Sequence, residues 1–138
     1  MGPVWDFNYS LGNVDYCSAG ETNVWAYKFN ERCGNHDQQV PFWWSRFLED
    51  PAFVGQLKDR WTKLRNADLS LNNLNMMIDN YSTLLKETGA AERNFTTWDI
   101  LGTDVHPNNF VGDTYNDEVN YLKDWISDRL SWMFFFFF

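Results

Sequence analysis

The chain has 138 residues, of which 11 are basic and 19 acidic, for a formal net charge of -8. That balance excludes a broad nucleic-acid groove, which needs clustered Lys and Arg, and no apolar run reaches the roughly 18 residues needed to span a bilayer. The length suits one domain or part of one, and aromatics supply 19% of the residues, with 8 Trp and 12 Phe, so a large aromatic core or a stacking surface is expected.

The first forty residues read as irregular, because Gly2-Pro3, Gly12-Asn13, Gly20 and Gly34-Asn35 interrupt them at intervals. Short strands are expected at residues 4–7 and near residues 24–29, where Val24, Ala26 and Lys28 alternate with Trp25, Tyr27 and Phe29. Asp6 stands between Trp5 and Phe7, just ahead of a glycine turn. A carboxylate held among apolar neighbours needs a cation, a set of donors or a proton. A Mg²⁺ ion on substrate phosphates is one such partner; backbone N–H groups in the turn toward Gly12 are the other. The first 20 residues lack a basic stretch followed by an apolar one, so any export signal is expected upstream of Met1.

Cys17 and Cys33 close a loop rich in Gly, Asn and Glu. A disulfide in an exported protein is the favoured reading, worth about 3 kcal/mol by chain entropy. Two free thiols, or a zinc site completed by His36, are the alternatives, although no fourth zinc ligand stands out.

From Pro41 onward the pattern turns helical. Trp43 and Trp44 recur with Phe47 and Leu48 at helical spacing, and Asp50-Pro51 ends that helix and caps the next. Phe53, Leu57, Trp61 and Leu64 then fall on one face, away from Lys58, Lys63 and Arg65. A third helix follows Asp68 or Ser70, with Leu71, Leu74, Ile78, Tyr81 and Leu85 as its stripe and Gly89 as its stop. A short helix at residues 90–95 and an extended loop at residues 97–112 come next. Asp113-Thr114 with Asp117 and Glu118 resembles a capping box for a final amphipathic helix carrying Tyr115, Val119, Leu122, Ile126, Leu130 and Met133. The fold class is therefore mainly α. The run Phe134 to Phe138 has no periodicity, is too short for a stable membrane anchor and is assigned no function.

Most tryptophans sit at core spacing, which leaves Trp98 and one of the adjacent Trp43 and Trp44 for an exposed, sugar-stacking role. His36 and His106 read as solvated loop residues, with no Ser or Cys arranged beside either for nucleophilic chemistry.

The string Gly2-Pro-Val-Trp-Asp-Phe-Asn with Gly12-Asn13 and Tyr16-Cys17, followed by Pro41-Phe-Trp-Trp, Arg46, Leu48, Asp50-Pro51 and Phe53, resembles the C-terminal portion of the CotH family of spore-coat-type, protein-kinase-like proteins. Arg60-Trp61, Leu64-Arg65, Leu69-Ser70, Ile78-Asp79, Arg93-Asn94-Phe95 and Trp98-Asp-Ile-Leu-Gly102 continue the likeness, as do Thr114-Tyr115, Leu122-Lys123, Trp125, Arg129 and Trp132-Met133. It covers residues 2–133.

The resemblance implies the C-terminal helical part of a protein-kinase-like fold, with residues 1–40 as metal-motif strand and loops, residues 41–133 as helical body and residues 134–138 as a poly-Phe tail. It implies ATP- and Mg²⁺- or Mn²⁺-dependent phosphoryl transfer to protein Ser or Thr in the intact protein, with Asp6 as metal ligand. Asn8 stands where the family has a second Asp, a weaker ligand that still offers an amide oxygen. The phosphate-gripping Lys, its Glu partner and the catalytic Asp belong upstream in this family, so the chain carries no catalytic or nucleotide-binding residue of its own and is expected to be inert alone. Its expected partners are a protein substrate and the N-terminal part of the kinase domain, with no nucleic acid and no membrane span. Its expected location is exported or at a bacterial cell envelope. The reading from a different class is a non-catalytic coat or envelope module that binds glycans through an exposed Trp.

Overall fold

A computed structural model describes residues 7–34 and 39–137 of the chain. Among the described residues seven α-helices follow in order: α1 (Phe7–Ser10), α2 (Phe29–Arg32), α3 (Trp43–Phe47), α4 (Pro51–Arg65), α5 (Leu71–Glu87), α6 (Ala90–Thr97) and α7 (Tyr115–Phe137). Among the described residues there is no strand, so the mainly-α expectation holds.

The strand expected near residues 24–29 is not there. Ala26–Lys28 form a 3₁₀ turn that runs directly into α2, and Lys28 N–H donates to Trp25 C=O at 3.1 Å. A strand needs a neighbour to pair with, and none exists among the described residues. The alternating aromatics answer to tertiary contacts instead: Trp25 lies 4.9 Å from Trp132, centroid to centroid. Of the strand expected at residues 4–7, residues 4–6 lie outside the described residues, and Phe7 opens α1.

The helical body follows its capping residues. Asp50 accepts the Ala52 N–H at 2.8 Å with Pro51 in the first turn, which starts α4. Phe53, Leu57, Trp61 and Leu64 are half-buried on that helix, whereas Lys58 and Lys63 are exposed. The Ser70 hydroxyl accepts the Asn73 N–H at 3.3 Å and starts α5. Gly89, at φ +67°, ends α5 in the left-handed conformation and opens α6.

The last helix begins with a reciprocal cap. Asp117 N–H donates to the Thr114 hydroxyl at 3.2 Å, and the Asp117 carboxylate accepts Thr114 N–H at 2.8 Å. All six residues expected on the apolar stripe of α7 are buried or half-buried. The phenylalanine run does not stop the helix, which continues through Phe137; backbone hydrogen bonding along an established helix does not require side-chain periodicity.

α5 packs against both α6 and α7, and a Lys123–Asp79 ion pair ties α7 to α5. The core is small. Among the described residues Val14 and Leu130 are the only buried hydrophobic side chains. Tyr81 and Leu85, expected on the inner stripe of α5, are 63% and 43% exposed. With Met76, Met77 and Leu84 they form an apolar face without cover.

Candidate functional site

Asp6, the residue the sequence singles out, lies outside the described residues, as does the side chain of Asn8, whose backbone belongs to α1. What the structure describes is the segment that leaves this motif and the helix that holds it.

After α1 the chain turns at Gly12, whose φ of +92° is open to glycine and costly for other residues. Three side chains of α7 grip the segment that follows. The Tyr121 hydroxyl donates to Gly12 C=O at 2.9 Å. One turn on, Trp125 Nε1 donates to Gly20 C=O at 2.6 Å. One turn further, Arg129 Nη1 donates to Thr22 C=O at 2.7 Å and to Val24 C=O at 2.5 Å. The spacing i, i+4, i+8 places all three on one face of α7. Each satisfies carbonyl groups that have no secondary-structure partner.

The rest of the segment is pinned from other directions. The Asn13 carboxamide accepts N–H groups of Asn109 at 2.9 Å and Phe110 at 3.1 Å, and Asp15 N–H donates to Pro107 C=O at 2.9 Å. Arg32 reaches back from α2, with Nε on Cys17 C=O at 3.2 Å and Nη1 on Trp25 C=O at 3.0 Å. A disulfide joins Cys17 to Cys33, whose Cα atoms are 5.5 Å apart. Neither sulfur is a free thiolate, so the alternative zinc reading through Cys17 and Cys33 falls; His36 lies outside the described residues. Among the described residues no cluster of three His, Cys, Asp or Glu is placed to hold a metal ion.

Arg129 is half-buried and sandwiched by indoles, its guanidinium carbon 5.3 Å from the Trp25 ring and 4.9 Å from the Trp132 ring. Burial, and then the nearby positive charge of Arg32, lower its pKa from the ordinary guanidinium value. Both arginines line a cavity of about 320 Å³ together with Tyr9, Glu21, Trp44 and Trp125.

Sequence reasoning found the Gly12 turn and the cysteine pair but missed the role of Tyr121, Trp125 and Arg129. Their four-residue spacing was the available signal, on the face of α7 beside the apolar stripe. Trp98 is 65% exposed, as expected, and Trp43 and Trp44, of which one is expected to leave the core, are both exposed, at 48% and 38%. Among the described residues no helix is long and apolar enough to cross a membrane.

No curated protein and no solved structure gives a significant match to this sequence. The description CotH kinase protein, by contrast, names a family that matches residues 1–133, nearly the full length. The turn at Gly12 and the side-chain ladder of α7 that grips it both lie within that match, and the chain belongs to the CotH kinase protein family.

Proposed function

We propose that this chain is the C-terminal portion of a CotH-like protein kinase that transfers the γ-phosphoryl group of ATP to Ser or Thr of a protein substrate. In that reading Asp6 holds a divalent ion, with the Asn8 carboxamide as a weaker second oxygen donor. One carboxylate and one amide suit Mg²⁺ or Mn²⁺, which takes one or two protein ligands and fills its remaining positions with phosphate oxygens and water. Such an ion, held by Asp6 and Asn8, would neutralise negative charge that develops on the phosphates in transfer. The residues of this chain do the positioning. Tyr121, Trp125 and Arg129 fix the backbone at Gly12, Gly20, Thr22 and Val24, downstream of the Asp6 motif.

The observation that carries the reading, beyond family membership, is the unfinished core. Phe42, Trp43 and Phe47 at α3 and Met77, Tyr81 and Leu84 on α5 are exposed to solvent, apolar surface of the kind that marks a face for another part of a protein. The upstream part of a kinase domain, which would bring the nucleotide-binding Lys and the catalytic Asp, is the cover this reading supplies. The Cys17–Cys33 disulfide supports an exported or envelope location.

The test is phosphoryl transfer from ATP with Mg²⁺ or Mn²⁺ to a Ser-rich protein acceptor. The expected result is transfer by the intact protein, its loss in Asp6→Ala, and none from the 138-residue chain alone. Robust transfer by the chain alone, abolished by Asp6→Ala, would contradict the claim that its active site is incomplete. A second reading, a non-catalytic coat or envelope module that binds glycans, is favoured by the exposure of Trp98 and Trp43. It predicts glycan binding lost in Trp98→Ala together with no nucleotide binding.

A further inference from the structure

The cavity of about 320 Å³ beside α1 has a composition that its surroundings do not explain. In a chain of net charge -8 it is lined by two guanidinium groups, Arg32 and Arg129, close enough for the charge of one to act on the other. Neither arginine has a carboxylate partner among the described residues; the four ion pairs there involve Lys28, Arg46, His106 and Lys123. Both are half-buried, where like charges repel more strongly than in water. Such a pair is stable when an anion sits between its members.

The hydrogen bonds leave donors to spare. Arg129 spends only Nη1 on the carbonyls of Thr22 and Val24, and Arg32 spends Nε and Nη1 on those of Cys17 and Trp25. Nε and Nη2 of Arg129 and Nη2 of Arg32 therefore have no partner among the described residues. The carbonyl bonds hold both guanidinium groups in place, which lowers the ordering cost of binding. Tyr9, Trp44 and Trp125 add aromatic walls, and among the described residues the carboxylate of Glu21 is the one acidic group on the lining.

We propose that this cavity is an oxyanion site in which Arg32 and Arg129 bind a phosphate group, either inorganic phosphate or the phosphate of a phosphoserine side chain. A tetrahedral oxyanion matches the fork of a guanidinium, accepts from two of them at once and cancels their repulsion. The aromatic walls accommodate the organic body of a phosphorylated side chain. The site uses neither ATP nor a metal ion, so it stands apart from the kinase reading.

The experiment titrates the chain with inorganic phosphate and, separately, with O-phosphoserine, without metal or nucleotide and at constant ionic strength, reading tryptophan fluorescence. Saturable binding is expected, weakened about tenfold or more in Arg32→Gln and tightened about two- to fivefold in Glu21→Gln. Tighter binding of O-phosphoserine identifies the side-chain source, and equal binding identifies free phosphate. Glu21 is exposed and makes no ion pair among the described residues, so Glu21→Gln remains informative even if Arg32→Gln fails to fold by circular dichroism. Absence of saturable binding to the wild-type chain, or binding that is indifferent to Glu21→Gln, would overturn the proposal.

Discussion

Gly12 and Trp125 lie so close that a Cβ on residue 12 would overlap the indole ring. The turn at Gly12 therefore depends on the absent side chain twice, through its φ of +92° and through this contact. Gly12→Ala should destabilise the fold by roughly 2–4 kcal/mol, the sum of left-handed strain and overpacking. Urea unfolding followed by circular dichroism measures it. A loss below about 0.5 kcal/mol would show that the turn relaxes freely.

The Cys17–Cys33 bond closes a loop of sequence separation 16. By loop entropy its reduction should lower stability by about 3 kcal/mol. The comparison is thermal or urea unfolding with and without reductant, alongside Cys17→Ser/Cys33→Ser, which should be insensitive to reductant.

The reciprocal cap of α7 makes a smaller prediction. Thr114→Ala removes the hydroxyl that accepts Asp117 N–H and should cost about 1 kcal/mol. Thr114→Ser retains that acceptor and should cost a few tenths at most, and the difference between the two variants in urea isolates the hydrogen bond.

The exposed face of α5 separates the short chain from the intact protein. Met77 and Leu84 are each 53% exposed, so Met77→Asp and Leu84→Asp should change the stability of the 138-residue chain by about 0.5 kcal/mol or less. If the upstream part of the kinase domain covers this face, the same changes in the intact protein bury an unpaired charge and should cost several kcal/mol. Equal, small effects in both would mean the face stays open.

The sequence made the helical body legible because its local and periodic signals agree. Asp50-Pro51, Ser70 and Thr114 mark helix ends by side-chain chemistry and Gly89 by its left-handed backbone, all acting within four residues, and the stripes of α4 and α7 are half-buried or buried as their spacing requires. The misreadings arise where distant contacts decide. Alternation at residues 24–29 resembles a strand, but Trp25 is placed by Arg129 and Trp132, more than a hundred residues away. The hydrogen-bond ladder of Tyr121, Trp125 and Arg129 serves carbonyl groups, which leave no mark in a sequence. The inner stripe of α5 was correct as a pattern, yet periodicity says only that Tyr81 and Leu85 want cover, not which segment provides it. Asp6 was conspicuous through its aromatic neighbours and the Gly12 turn, a local signal of the same kind as the caps.

The central claim is that Asp6 holds a divalent ion against the phosphates of ATP. Manganese binding to the intact protein, measured by electron paramagnetic resonance with and without ATP, tests it most directly. The account predicts tight Mn²⁺ binding that requires ATP and weakens by about tenfold or more in Asp6→Asn. Nucleotide-dependent Mn²⁺ binding of unchanged strength in a folded Asp6→Asn protein would contradict it.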